Sequence, residues 1–219
     1  MIEKIKHKIL WTLRVDLREK TNKWFAANRR TSLKGNSFTI ISNNCWGAHV
    51  YRYYELPYNS PTIGLYIWPE GYLKLVNNLK YYFSQELQFI NYKDSAHRDL
   101  LEARGETSKP IGMLGDVEIV FLHYKTPEEA KEKWERRAAR IDWEHLLIKC
   151  SMQNGMTDEQ VQEFDRIDYP HKLIFVPRSM PNIKSSVWYK KSKSNKQVDD
   201  DILYFNRYVK LTDWINSCY

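Results

Sequence analysis

Short apolar runs alternate with longer amphipathic stretches through most of the chain. Runs rich in apolar and β-branched residues predict strands at residues 38–42, 62–68, 117–123, 146–150 and 172–176. Apolar residues that repeat every three or four positions predict helices at residues 48–55, 69–87, 127–140, 158–164 and 211–216. This alternation is typical of an α/β fold, here a layered α/β/α arrangement with a largely parallel or mixed sheet.

The clearest local signal is the start of a helix at Thr126. This residue is followed by Pro127 at the first helical position and by Glu129 at the third. A threonine hydroxyl caps the free amides of a first turn, and proline fits there because it has no amide to lose. Trp134 falls on the apolar side of this helix and is predicted to be buried. The polar stretch at residues 91–108 is predicted to cross the surface.

Residues 1–36 form a basic arm that differs in charge from the rest of the chain. The formal net charge is +7, and the arm alone contains ten Lys or Arg against three acids. Four of its apolar residues repeat at helical spacing: Ile2, Ile5, Ile9 and Leu13. We therefore predict an N-terminal amphipathic helix that contacts an anionic membrane through residues 1–30, packs on its own domain, or pairs with a second copy in a homodimer. Residues 37–219 are predicted to form the α/β domain, as one unit or as two similar subdomains.

Composition narrows the class of protein. Hydrophobic residues make up 42% and aromatic residues 14% of the chain, which favours a packed core and excludes wholesale disorder. Residues 37–219 carry 24 basic and 24 acidic residues and no nucleic-acid-binding motif, so no nucleic acid partner is predicted. Three widely spaced cysteines support neither a disulfide framework nor a metal site, and no cofactor is predicted. The start of the chain has no signal-peptide or membrane-spanning pattern, so the expected location is the cytoplasm, with any membrane contact peripheral and at the inner face.

Ligands of open parallel sheets bind where strands end and the next helices begin. The loops after the predicted strands supply amides, a thiol, an imidazole, hydroxyls and a cation: Asn43, Asn44, Cys45, His123, Tyr124, Ser151 and Arg178. Amides suit sugar or phosphate hydrogen bonds, although they also cap helices and form turns. Cys45 lies four residues before His49, so it is a candidate nucleophile with His49 or His123 as base. A structural thiol is the alternative.

Two charged clusters each have two interpretations. Arg136, Arg137 and Arg140 exceed the number needed to pair with neighbouring glutamates, so they form either a solvated helix face or an anion site. The acidic run at residues 199–201 follows a lysine-rich segment. We interpret it as a charged surface loop rather than as a motif that holds a metal and a nucleotide diphosphate.

Five blocks occur in a fixed order between residues 37 and 216: SNNCWGAHVY, LPYNSPTIGLY, NLKYY, HYKTPEEAKEKWERRAARI and the closing WIN. Together they resemble a family of bacterial exopolysaccharide or capsular polysaccharide biosynthesis proteins of unknown biochemical function. The resemblance implies a layered α/β fold and a role in making cell-surface glycans, and it supplies no established catalytic residues. It directs attention to Asn43, Asn44, Cys45, Trp46, His49, Tyr58, Asn59, Ser60, His123, Tyr124, Trp134, Arg137 and Arg140.

The leading functional hypothesis is a transferase-like protein that binds a nucleotide-sugar or another phosphorylated glycan precursor. Aromatic side chains would stack on a ring, while arginines and helix N-termini would hold phosphate. One alternative is a Cys/His-dependent acyl transferase or hydrolase. The other is a noncatalytic scaffold of glycan assembly.

Overall fold

A computed structural model describes the backbone of residues 2–219 and the side chains of residues 5–219. The predicted placement of the Ile2 side chain lies outside the described residues. The helices are α1 (Ile2–Trp11), α2 (Leu17–Arg30), α3 (Trp46–Tyr54), α4 (Pro69–Asn77), α5 (Leu79–Phe83), α6 (Arg98–Arg104), α7 (Pro127–Ala138), α8 (Asp158–Arg166) and α9 (Leu211–Asn216). The strands are β1 (Thr39–Ser42), β2 (Tyr66–Ile67), β3 (Leu87–Ile90), β4 (Ile111–Leu114), β5 (Val117–Val120), β6 (Leu146–Ser151), β7 (Lys172–Val176) and β8 (Ser186–Trp188).

The first sheet is wholly parallel, with its strands in the order β1-β6-β7-β8. Successive residues of these strands are buried in two different cores. Ile40 and Leu147 pack in the core that contains residues of α3 and α9, whereas Ile41 and Ile148 pack in the core that contains residues of α4 and α8. Both faces are covered, which is why the strands are apolar without polar alternation. The predicted layered α/β fold is confirmed.

A second sheet is antiparallel, with its strands in the order β2-β5-β4-β3. The predicted strand at residues 117–123 ends at Val120 and lies in this sheet rather than beside the parallel strands. The amide of Ile67 donates to the carbonyl of Asn43 over 3.0 Å and so connects the two sheets. Gln88 and Gly112 interrupt the short apolar runs of β3 and β4, so the sequence pattern predicts neither strand.

The helices follow the predicted pattern with two differences. The helix expected at residues 69–87 divides at Asn78, whose φ of −147° and ψ of 60° are not helical. The polar stretch at residues 91–108 contains α6, and its Leu101 is fully buried in a small cluster with Trp68. By contrast, α7 begins as predicted, with the hydroxyl of Thr126 accepting a hydrogen bond from the amide of Glu129 over 3.2 Å.

The N-terminal arm is a helical rod in which a π-helical turn at Thr12–Asp16 joins α1 to α2. Its inner side lies against the chain's own α/β domain. Val15 and Ala26 are buried, and the side chain of Asn22 donates to the carbonyl of Arg52 in α3 over 2.7 Å. Three of the residues assigned to its apolar face are exposed instead: Ile5, Ile9 and Leu13. Along the described part of the chain, no helix combines the length and apolar character needed to cross a bilayer.

Candidate functional site

A cleft of about 560 Å³ separates the N-terminal helices from the loops that follow β1 and β5. Glu19 of α2 lines one side of this cleft. The other side chains that line it include several predicted site residues: Cys45, His49, Tyr58, His123, Tyr124 and Arg137. Beyond Cys45 a second hollow continues toward residues 199–201. Of the predicted residues, these are the ones that the fold brings together in one place.

Arg137 is the most unusual side chain of the cleft, since it is only 8% exposed. Its Nη1 donates to the hydroxyl of Tyr124 and lies 3.5 Å from the carbonyl oxygen of Ile63. Its guanidinium carbon lies 5.2 Å from the centre of the Tyr58 ring. Neighbouring Arg136 pairs with a glutamate, but within residues 5–219 no carboxylate lies at ion-pair distance from Arg137. The cleft therefore contains a buried cation that an anionic ligand can neutralise.

A second cation of the cleft, Arg52, is already neutralised by the N-terminal helix, and a third, Lys133, pairs with Glu132. Glu19 Oε1 lies 3.0 Å from Arg52 Nε and 3.4 Å from His49 Nδ1. The hydrogen bond from His49 lowers the pKa of Glu19 and keeps it ionised. Burial lowers the pKa of His49 in spite of Glu19, which favours the neutral imidazole. The Glu19 contacts hold α2 against α3 and form one edge of the cleft.

Cys45 lies in the cleft without the surroundings of an activated nucleophile. Burial raises the pKa of its thiol to about 12, and its Sγ lies 3.6 Å from the carbonyl oxygen of Leu65. The ring nitrogens of His49 contact Arg52 instead. His123 is exposed at the mouth of the cleft, and its partial desolvation and the charge of Lys109 lower its pKa. A nucleophilic cysteine acts as the thiolate, which this environment disfavours.

A buried polar network lies beside Cys45, where β1 and β6 end. Lys149 and Asp201 form an ion pair whose side chains are 0% and 3% exposed. Asn44 accepts a hydrogen bond from Lys149 over 3.0 Å and donates one to Asp201 over 2.8 Å. The hydroxyl of Ser151 donates to Asp201 over 2.5 Å. Burial acts to raise the pKa of Asp201, but Lys149 and these hydrogen bonds outweigh it and lower the pKa below its ordinary value.

Neither member of this ion pair is among the site residues predicted from the sequence. The interpretation of residues 199–201 as a charged surface loop is wrong for Asp201, which is 2% exposed, although Asp199 is exposed. A signal was present in β6, whose sequence LLIKCS places Lys149 within a run of apolar residues. A lysine in a buried strand requires an acidic partner, because an unpaired buried charge is very costly.

The remaining predicted site residues lie in the core or on other surfaces. Asn43 is buried and exchanges two hydrogen bonds of 2.9 Å with the backbone of Ser151, which fixes β1 to β6. Trp46 and Ser60 are fully buried outside the cleft. Three more residues do not line it: Asn59, Arg140 and Arg178. Arg140, just after α7, donates to the carbonyl of Arg136, and Arg178 pairs with Asp158.

Fold and site together define an α/β protein with a cleft that contains a buried arginine, is bordered by tyrosines and is closed on one side by an N-terminal helix. Residues 17–217 match the family described as a domain of unknown function, DUF1919. The chain belongs to this family. An uncharacterized protein of Haemophilus influenzae is 33% identical over 178 residues, which cover 80% of each chain. These descriptions confirm a family of unknown function and mention no glycan.

Proposed function

We propose that the cleft binds the phosphate of a sugar nucleotide or of another phosphorylated glycan precursor, and that the protein acts in the biosynthesis of cell-surface glycans. The observation that carries this proposal is the buried guanidinium of Arg137, which lines the cleft and has no carboxylate partner among the described residues. Arginine binds phosphate through paired N–H donors, and Nη1 of Arg137 serves only protein acceptors. Its Nε and Nη2 groups are the donors that remain for a ligand.

The surroundings of Arg137 fit the rest of such a ligand. The rings of Tyr58 and Tyr124 border the guanidinium, and Tyr58 supplies apolar surface for a sugar or a base, whereas the Tyr124 hydroxyl already donates to the carbonyl of Ile63 and accepts from Arg137. The volume of about 560 Å³ falls within the range of about 300–1,000 Å³ that is usual for small-molecule sites. A transferase-like role is therefore the function that this geometry supports best.

The first test is the substitution Arg137→Gln. It is expected to weaken binding of a uridine diphosphate sugar by about 10- to 100-fold, because a charge-assisted hydrogen bond contributes about 1.5–3 kcal/mol. Isothermal titration calorimetry against the diphosphate sugar, the nucleoside diphosphate and the free sugar measures this effect. The free sugar, which carries no phosphate, is expected to discriminate least between the variant and the wild type.

Arg140→Gln is the matched control, since Arg140 is an exposed arginine just after the end of α7 and outside the cleft. It is expected to bind like the wild type. Arg137→Lys retains the charge and is expected to recover part of the affinity. If Arg137→Gln binds phosphorylated ligands as tightly as Arg140→Gln does, the guanidinium is structural and the proposal is wrong.

A second prediction concerns the Cys/His-dependent alternative. Cys45→Ala is expected to leave the affinity for the diphosphate sugar unchanged, since burial keeps the thiol protonated and its Sγ contacts a backbone carbonyl. The same calorimetric titration measures the affinity of this variant for the diphosphate sugar. A covalent adduct on Cys45, detected by intact-protein mass spectrometry with an activated acyl ester and absent in Cys45→Ala, would favour the acyl-transfer alternative instead. A scaffold would bind none of these small molecules.

A further inference from the structure

The N-terminal helices present an apolar surface on the side that faces away from the domain. Six large apolar side chains of α1, the π-helical turn and α2 are between 52% and 69% exposed: Ile5, Ile9, Leu13, Leu17, Trp24 and Phe25. We call this set the outer face. Soluble surfaces usually scatter such residues singly, so a row of six along one rod indicates a binding surface.

The π-helical turn keeps this row together. Ile5, Ile9, Leu13 and Leu17 are each four residues apart. On a regular α-helix every such step turns the row by about 40°, so Leu17 would lie about 120° from Ile5. The π-helical turn at Thr12–Asp16 has more residues per turn than an α-helix, so each of its residues rotates less about the helix axis. This smaller rotation reduces the angle between Ile5 and Leu17. The residues on both sides of the turn are therefore exposed together.

Polar and aromatic contacts hold the inner side of the same rod against the domain. The outer face therefore cannot pack into the core of its own domain. Arg18 lies over the ring of Phe205 at 4.3 Å, and Arg29 lies over the ring of Tyr53 at 3.9 Å. Arg29 also donates to the carbonyl of Tyr53 over 2.9 Å. These contacts fix the orientation of the rod and leave the outer face open to an external partner.

We propose that the outer face binds the surface of an anionic lipid bilayer, with the rod lying in the plane of the interface. Charge is the observation that selects this occupant. The net charge of +7 is contained in residues 1–36, and three lysines of the same helices are exposed: Lys8, Lys20 and Lys23. Such lysines reach anionic headgroups while the apolar side chains enter the acyl boundary. A second copy placed face to face would bring two sets of these lysines together, which is unfavourable.

Trp24 lies where an interfacial anchor is effective. It is the most exposed member of the outer face at 69%, and the ammonium of Lys23 lies 6.0 Å from its ring centre. Tryptophan prefers the headgroup level of a bilayer, because its ring is apolar and its N–H is polar. The Glu19 contacts with α3 then hold the cleft beside the rod, close to the lipid surface.

Sedimentation of the full chain with vesicles tests this inference. The wild type is expected to bind vesicles of phosphatidylcholine with phosphatidylglycerol at low salt, to bind pure phosphatidylcholine weakly, and to dissociate partly at high salt. Leu13→Gln combined with Leu17→Gln is expected to lower the partition coefficient by about tenfold or more, because two apolar side chains leave the acyl boundary. Both residues are exposed, so the variant retains the fold.

Leu100→Gln is the matched control, because Leu100 is an exposed leucine (46%) on α6 and outside the outer face. It is expected to bind vesicles like the wild type. The inference is wrong if the wild type ignores anionic vesicles at low salt, or if the double variant binds as tightly as Leu100→Gln. A dimer in sedimentation velocity that only the double variant loses would assign the outer face to a second copy. Arg137→Gln is expected to retain vesicle binding. The proposal of lipid binding is therefore tested independently of the proposal of phosphate binding in the cleft.

Discussion

Replacing Lys149 with methionine is expected to lower the free energy of unfolding by about 3–5 kcal/mol, because it leaves the carboxylate of Asp201 buried without its cation. Urea unfolding followed by circular dichroism measures the loss. Asn44 and Ser151 still donate to Asp201 in the variant, but hydrogen bonds from neutral groups do not replace an ammonium. The double variant Lys149→Met with Asp201→Asn is expected to recover part of the stability.

The dependence of this loss on pH gives a second readout. In the wild type the pKa of Asp201 is below its ordinary value, so the ion pair stabilises the fold above the unfolded-state pKa and is lost as the pH falls through the folded-state pKa. In Lys149→Met burial instead raises the pKa of Asp201, and protonation relieves the buried charge. The difference in stability between the two proteins is therefore expected to shrink as the pH falls. Lys74→Met, which breaks the exposed pair with Asp116, is the control and is expected to cost less than about 1 kcal/mol. Equal losses for the two variants would contradict the central role of the buried pair.

Trp134→Ala is expected to cost about 3–5 kcal/mol, as large-to-small substitutions of buried aromatic residues do. The Trp134 side chain is 4% exposed, and its ring packs against Phe83 and Phe121 at centroid distances of 5.7 Å and 6.1 Å. Because α7 also carries Arg137, loss of this packing is expected to loosen the cleft as well. Thermal unfolding and titration with the phosphorylated sugar measure the two effects.

Trp188→Ala is the control for this substitution. Trp188 ends the edge strand β8 and is 46% exposed, so its removal leaves no cavity in the core. It is expected to change the stability much less than Trp134→Ala does. A Trp134→Ala protein as stable as Trp188→Ala would show that α7 does not anchor this core.

The elements that sequence predicts best are those with a strong local signal. The strands β1, β6 and β7 are short, mainly apolar runs, and α7 begins with its own capping residue Thr126, so neighbours along the chain determine them. The assignment of each strand to one of the two sheets, by contrast, cannot be predicted from local sequence. Strand β5 pairs with β2 and β4, and no local pattern distinguishes this pairing from a place in the parallel sheet.

The same distinction holds for the site. Arg137 is a sequence candidate because three arginines exceed what i,i+4 pairing on one helix needs, which is a local argument. Lys149 and Asp201 are 52 residues apart, so their pairing depends on how the loop before α9 folds over the end of β6. Tyr58 and Arg137 likewise meet only in the folded chain. The chemistry of each residue can be read from the sequence, whereas the topology of the fold determines which residues lie close together.

Because of the π-helical turn at Thr12–Asp16, the alignment of the two halves of the outer face depends on the number of residues between them rather than on their composition. A regular α-helix advances by about 100° per residue, so removing one residue between Ile9 and Leu17 would turn the two halves of the outer face apart by about that angle. Such a deletion leaves the net charge unchanged when the residue is Thr12, yet it splits one apolar face into two that point in different directions. For the proposed lipid contact, the spacing between Ile9 and Leu17 therefore matters more than the average hydropathy of the arm.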